Sequence, residues 1–430
     1  YLFSLYCLKI QWVRRNRGLG QVWISVGLAI GYTISWIVQA PRLRLFSIVA
    51  NDSITIPQYL TNRFLSKSKA LQIICAVIFL VAYTVYAASS MKACGTLFHT
   101  VIGIDTTTAM YIATGIIVCY TFLGGFNAVC WTDFFQGLLM LAALLIAPIF
   151  ALGIINGGGA AMSFSDMPAG YWNLFENWKD VVSGLGWGLG YIGMPHIIVR
   201  FMSLESQQSP KKSAKIGITW NVLIVIFSVA AGCIGHLLLG DIADSSTVFI
   251  QMVRTIFPGV ISGVLLSAIL AASMSTADSQ LLASASAFAS DVYKPILRKN
   301  KAGDKEMLWI GRAVVLAISI AALLIASNPN AGSIMDLVSN AWGVFGAAFG
   351  PTILLSLFWK RFTFSGAVAG ILVGAAVDVL WFAFLSGTGI YEIIPAFFAS
   401  TVAAVVVSLL SKKPDKEVEE LFDKAVSFTE

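Results

Sequence analysis

The sequence predicts an all-α protein that crosses a membrane many times. Three observations predict it. Hydrophobic residues fill 57% of the 430 positions and charged residues 12%, with a mean hydropathy of +0.81, about half the charge of a soluble domain. Apolar runs long enough to span a bilayer recur along the chain. The basic residues gather in alternate connections between those runs.

Eleven runs qualify, at roughly 21–39, 70–97, 106–124, 134–157, 180–202, 216–240, 259–280, 307–327, 334–358, 363–387 and 393–411. None alternates apolar and polar residues as a barrel strand does, so each is read as a helix that satisfies its own backbone. Arg42, Arg44, Arg63, Lys67 and Lys69 follow the first run, and Lys211, Lys212 and Lys215 follow the fifth. Lys294, Arg298, Lys299, Lys301 and Lys305 follow the seventh, Lys360 and Arg361 the ninth, and Lys412 and Lys413 the eleventh. The intervening connections are nearly free of basic residues, and one carries Asp241 and Asp244 instead. Odd-numbered runs therefore end in the cytoplasm, as does the C-terminus.

Residues 1–20 break this pattern, because Arg14, Arg15 and Arg17 precede a run that should start outside. Their order, apolar then basic, is the reverse of a signal peptide. The division expected is an atypical or truncated segment at 1–20, a transmembrane domain at 21–411 and a cytoplasmic tail at 412–430. In the tail Val418, Leu421, Phe422 and Ala425 share one helical face.

The net charge of +6 does not indicate nucleic acid, since the basic residues lie in short membrane loops. The six cysteines have no metal-ligand spacing, and His99, His196 and His236 are scattered. No nucleophile–base pair or metal cluster is apparent, so the chain is not read as an enzyme, and no obligate protein partner is indicated.

Three stretches carry chemistry. The first, LAASMSTADSQLL at 270–282, loads an apolar run with hydroxyls and one carboxylate. Ser275, Asp278, Ser279 and Leu282 share a face bordered by Thr276. A mid-membrane aspartate costs about 2.5–3.5 kcal/mol, so it needs a partner or water. Hydroxyls and main-chain carbonyls offer a hard cation such as Na⁺ oxygens without charge. The structural alternatives are hydroxyls bonded back to their own helix and an Asp278 already in cytoplasmic water. The second, GLGWGLGYIGMPH at 184–196, has five glycines and a proline. Such an interrupted span points to a discontinuous helix at a binding site. Trp187 and Tyr191, four apart, would line it; the alternative is tight glycine packing. The third, FLGGFNAVCWTDFFQ at 122–136, has a Gly124–Gly125 pair that suggests a turn and an Asp133 that reads equally as a helix N-cap.

FLGGFNAVCWTD, GWGLGYIGMPHIIVRFM, LLSAILAASMSTADSQLL and NAWGVFGAAFGPTILLSLFWKR together resemble the sodium/solute symporter family. The likeness is closest to its bacterial sodium/proline branch, runs from about 21 to 411, and extends to IYEIIPAFF. It implies a LeuT-like core of ten helices in two inverted repeats of five. That branch has thirteen spans, so eleven here imply that the first two are missing. The resemblance also implies sodium-coupled symport of proline or a similar small amino acid across the plasma membrane (the bacterial inner membrane). Na⁺ would be the coupling ion, and the bilayer and a small proline-like molecule the partners. By the same resemblance, Ala272, Ser275 and Thr276 hold sodium. Asp133, Asp278 and Ser279, with Ser275, match a second sodium position found in some relatives. Tyr86, Trp187 and Tyr191 bind substrate. Asp278 stands where relatives with the second position have serine, and Met194 where the proline branch has glutamine. Another solute (a sugar, sialic acid or pantothenate) or a sensor-type membrane domain remain the alternatives.

Overall fold

The computed structural model describes residues 18–162, 173–204, 209–240, 242 and 247–427, and only the backbone of 18–19, 123–128 and 209–210. The leader at 1–17 and the acidic pair Asp241 and Asp244 lie outside the described residues. Among the described residues every regular element is helical.

In chain order the helices are α1 (Val22–Val49), α2 (Ile56–Arg63), α3 (Ala70–Ile102), α4 (Thr106–Ile154), α5 (Trp178–Gly193) and α6 (Pro195–Met202). They continue with α7 (Ser209–Leu239), α8 (Val248–Ile256), α9 (Gly259–Leu297), α10 (Asp304–Ser327) and α11 (Ile334–Phe358). The chain finishes with α12 (Phe364–Leu385), α13 (Ile393–Leu410) and α14 (Lys416–Ser427). Nine described helices are each long and apolar enough to cross a bilayer, and α5 with α6 passes as a bent pair. With the shorter apolar piece Thr106–Phe122, every run read from the sequence has a helical counterpart.

Runs 106–124 and 134–157 fall in one assigned element, α4, yet both its ends lie at one end of the bundle: Thr106 packs on Gly95 of α3, whose Thr100 carbonyl accepts from Arg254, and Phe150 meets Phe257 at 5.2 Å. Asp133 lies inside a helical stretch and is not its N-cap; the N-cap of α4 is Asp105, which accepts from the Thr108 amide at 3.0 Å.

The break in the fifth span is real, but it falls at Met194. This residue is extended (φ −72°, ψ 112°), and α5 and α6 meet at a 46° bend. Pro195 is the cause: it lacks an amide hydrogen and disfavours helical geometry in the residue before it. The glycines serve a different purpose. A methyl at Gly188 or Gly184 would collide with the α1 backbone at Gly27 or at Trp23–Ile24, so α1 and α5 touch main chain to main chain. Discontinuity and tight glycine packing, posed as alternatives, coexist.

Helix α11 lies at the centre, with 83% of its apolar window buried, against 22% for α10 and α12. Its Phe345 and Phe349 are fully buried against Phe79 and Tyr83 of α3. The side chains left exposed on the outer helices are apolar, among them Val260, Leu324, Phe384 and Leu410, as suits a surface solvated by lipid. The tail does form an amphipathic helix, α14, whose Val418, Phe422 and Ala425 are buried. Phe422 packs against Phe46 at 5.3 Å and lies under the buried Arg63 guanidinium, which donates to the Val418 carbonyl at 3.3 Å.

Candidate functional site

The polar stretch of α9 sits in the bundle interior. Ala272 is fully buried, and its carbonyl accepts from Thr276 Oγ1 at 2.8 Å and from Ser275 Oγ at 3.3 Å. The three oxygens named from the sequence thus meet at one point on one turn of helix. The bonds back to the helix are the ordinary behaviour of such hydroxyls. Each hydroxyl spends its single donor on them and keeps lone pairs that a cation could use.

One turn further, the second group divides. Ser279 Oγ donates to Asp133 Oδ2 at 3.4 Å, which joins α9 to α4. Arg200 of α6 donates through Nη2 to the same carboxylate oxygen at 3.3 Å and to Ser279 Oγ at 3.2 Å. A side-chain cation therefore stands between two of the oxygens assigned to the second position. Asp278 does not join them. Its side chain is wholly buried, which removes the reading that it lies in cytoplasmic water. Its Oδ2 accepts from the Tyr120 hydroxyl at 2.7 Å, which also approaches the Met274 carbonyl at 3.2 Å.

The aromatic residues assigned to substrate form two neighbouring groups. Trp187 is buried and stacks on Tyr391 at 4.4 Å with planes 22° apart. Its main-chain carbonyl accepts from Trp342 Nε1 at 2.9 Å. Tyr191 meets the same Trp342 edge-on at 5.1 Å and Tyr32 of α1 at 5.0 Å. Tyr86 is buried on α3, and its ring centre lies 6.5 Å from that of His196, just past the helix break. His196 is held there because its amide donates to the Tyr83 hydroxyl at 2.9 Å.

Two cavities flank these groups. One, about 230 Å³, is lined by Asp180, Ser183, Trp187, Ser339 and Tyr391 among others, at the starts of α1, α5 and α11. The other, about 210 Å³, is lined by Thr55, Asp133, His196, Arg200 and Ser279 among others, beyond the end of α1 and along α6. Since α1 and the α5–α6 pair both begin at the first and finish at the second, the cavities lie at opposite ends of the bundle. Ser275, Thr276 and Tyr191 line neither.

Sequence reasoning missed Tyr120, Arg200, Trp342 and Tyr391. The last two fall in NAWGVFG and IYEIIPAFF, stretches that carry the family likeness without marking any single residue. Arg200 likewise falls in GWGLGYIGMPHIIVRFM, Tyr120 in none of these stretches, and the partners of both lie on other helices.

A discontinuous helix beside a hydroxyl-rich one, in a bundle with a cavity at each end, defines a membrane transporter. The sequence profile described as "Sodium:solute symporter family" matches residues 14–374, and the chain belongs to that family, whose members are transporters and not enzymes. The high-affinity proline transporter PutP of Bacillus subtilis is 42% identical over 415 residues, spanning 95% of this chain and 87% of that one. A sodium/proline symporter of Staphylococcus aureus is 41% identical over 419 residues, spanning 94% and 82%. The substrate-bound, outward-open structure of a Na⁺-coupled sialic acid symporter superposes with a TM-score of 0.68 at 18% identity, over 96% of this chain and 97% of that one. At that identity the likeness is one of fold: the LeuT-like inverted-repeat bundle.

Proposed function

We propose that the chain carries L-proline, or a similar small amino acid, together with Na⁺ across the plasma membrane by alternating access. The observation that carries this reading is the meeting of the Ala272, Ser275 and Thr276 oxygens one turn before the α9–α4–α6 contact, in a relative of proline transporters. In this reading those three oxygens ligate sodium, and Asp133, Ser279 and Asp278 belong to a second sodium position. Trp187, Tyr191 and Tyr86 enclose the substrate, whose compact apolar ring suits aromatic walls. In this reading, which the basic connections support, the C-terminus and the Arg200 cavity face the cytoplasm and the Trp187–Tyr391 cavity faces outside.

One sodium crossing with a neutral solute yields about 2.3 kcal/mol per 100 mV of potential, and about 1.4 kcal/mol per tenfold sodium gradient. That is enough to concentrate the solute several hundredfold. Uptake of labelled proline into proteoliposomes is the test, with and without an inward sodium gradient and against a panel of unlabelled amino acids, sugars and sialic acid. Uptake that ignores sodium, or that only a non-amino-acid solute suppresses, would refute the reading.

A further inference from the structure

Behind the Trp187–Tyr391 stack lie two acidic side chains that transport through α9 does not use. Asp378, in the middle of α12, is wholly buried, and neither carboxylate oxygen has a hydrogen-bond partner among the described residues. Glu392, at the start of α13, is 7% exposed, and its Oε1 is likewise buried without a partner. An unpartnered carboxylate in a membrane interior is costly and marks a function by default.

The fold brings the two acids to one turn of α11. The Asp378 carboxylate lies directly over the α-carbon of Gly343: a Cβ there would stand 2.6 Å from Oδ1 and 2.9 Å from Oδ2. One turn earlier on α11, the Ser339 carbonyl accepts from the Tyr391 hydroxyl at 2.9 Å, which fixes the residue next to Glu392. Trp381, one turn along α12 from Asp378, donates to the Ile390 carbonyl at 3.3 Å and ties the same connection down. Asp378 and Glu392 are close enough to feel each other's charge, and Tyr391 feels both. The other charged group facing Glu392 is Asp336 of α11. Lys179 of α5 reaches this connection but donates to the Thr388 carbonyl at 2.9 Å. No ion pair to either acid occurs among the described residues.

We propose that Asp378 and Glu392 form a binding site for one monovalent cation, Na⁺ or H⁺, separate from the α9 oxygens and reached from the Trp187–Tyr391 end of the bundle. Two buried carboxylates with no cationic neighbour require one positive charge to coexist. Burial pushes the Glu392 carboxyl up to about 7, so a proton can occupy it below that pH. Because Tyr391 stacks on Trp187, occupancy of this site bears directly on the aromatic wall.

The experiment compares the purified protein with Asp378→Asn and Glu392→Gln, and with the Ser275→Ala/Thr276→Ala double variant as reference. ²²Na⁺ binding is counted on each, above and below pH 7. Proton uptake on acidification through the same range is counted in weakly buffered detergent. If the site takes sodium, both acid variants bind one Na⁺ fewer per chain above pH 7, whereas the reference variant retains that ion. If it takes a proton, both acid variants take up one proton fewer and ²²Na⁺ binding is unchanged. Equal sodium and proton counts in wild type, Asp378→Asn and Glu392→Gln would overturn the proposal. Glu392→Gln, just before the first turn of α13, keeps the test decisive should Asp378→Asn fold poorly.

Discussion

The hydroxyl of Tyr120 donates to Oδ2 of Asp278 at 2.7 Å, joining α4 to a carboxylate that is wholly buried in α9. Tyr120 is the side-chain donor to that carboxylate, and among the described residues Oδ1 has no partner. Removing a partner from a buried charged acceptor costs more than the bond contributes, because the acceptor stays desolvated. Tyr120→Phe is therefore expected to destabilise the protein by about 1–3 kcal/mol. The same substitution in an Asp278→Asn background should cost clearly less. Thermal unfolding of the two single variants and the double variant measures the coupling; strictly additive effects would mean that the contact carries no energy.

Sodium activation should depend on the α9 hydroxyls. Ser275→Ala and Thr276→Ala each remove one oxygen from the point where Ala272 O is met. Each is expected to raise the half-saturating Na⁺ concentration at least tenfold, equivalent to about 1.4 kcal/mol. Thr276→Ser keeps the oxygen and should stay near wild type. Uptake as a function of external Na⁺ decides it, and unchanged half-saturation in both alanine variants would return these hydroxyls to the helix-bonding role.

Arg200 stands between Asp133 and Ser279 with its side chain 60% exposed. It occupies space that a second sodium would need, so the two should compete. Arg200→Gln is predicted to lower the half-saturating Na⁺ concentration several-fold, and Arg200→Lys to change it little. A rise in the glutamine variant would show that the guanidinium supports the site and does not compete for it.

Loss of the aromatic walls should appear in substrate affinity. Trp187→Ala removes the partner of Tyr391, and Tyr191→Ala opens the space between Tyr32 and Trp342. Both are expected to raise the apparent KM for proline at least tenfold while shifting the sodium dependence much less. Direct binding of labelled proline, at matched expression, separates this from a folding defect.

The contact between α1 and α5 should tolerate no added atom. A methyl on Gly31 would collide with the Gly188 main chain, which cannot turn aside as a side chain could. Gly31→Ala is expected to cost about 1–3 kcal/mol, the usual range for overpacking, and to lower the thermal midpoint. A variant as stable as wild type would mean that the two helices can separate without penalty.

The sequence by itself determined where the helices run and where one of them breaks. Lipid offers backbone groups no partner, so an apolar run of sufficient length must be helical, and the runs at 70–97 and 334–358 lie within helices while 393–411 matches Ile393–Leu410 to one residue. Proline cannot donate within a helix, so a break near 195 was legible, and the structure moved it only to Met194. The cluster of hydroxyls in 272–279 was legible too, because polar atoms in such a run stand out by chemistry alone. What only the tertiary structure decided was which distant side chains meet. Arg200 reaches Asp133 across 67 positions, Tyr120 reaches Asp278 across 158, and Asp378 comes to rest over Gly343. A helical period reports which face a residue occupies, but the neighbour on that face is set by how α4, α6, α9, α11 and α12 pack, and no local pattern in the chain encodes their crossing.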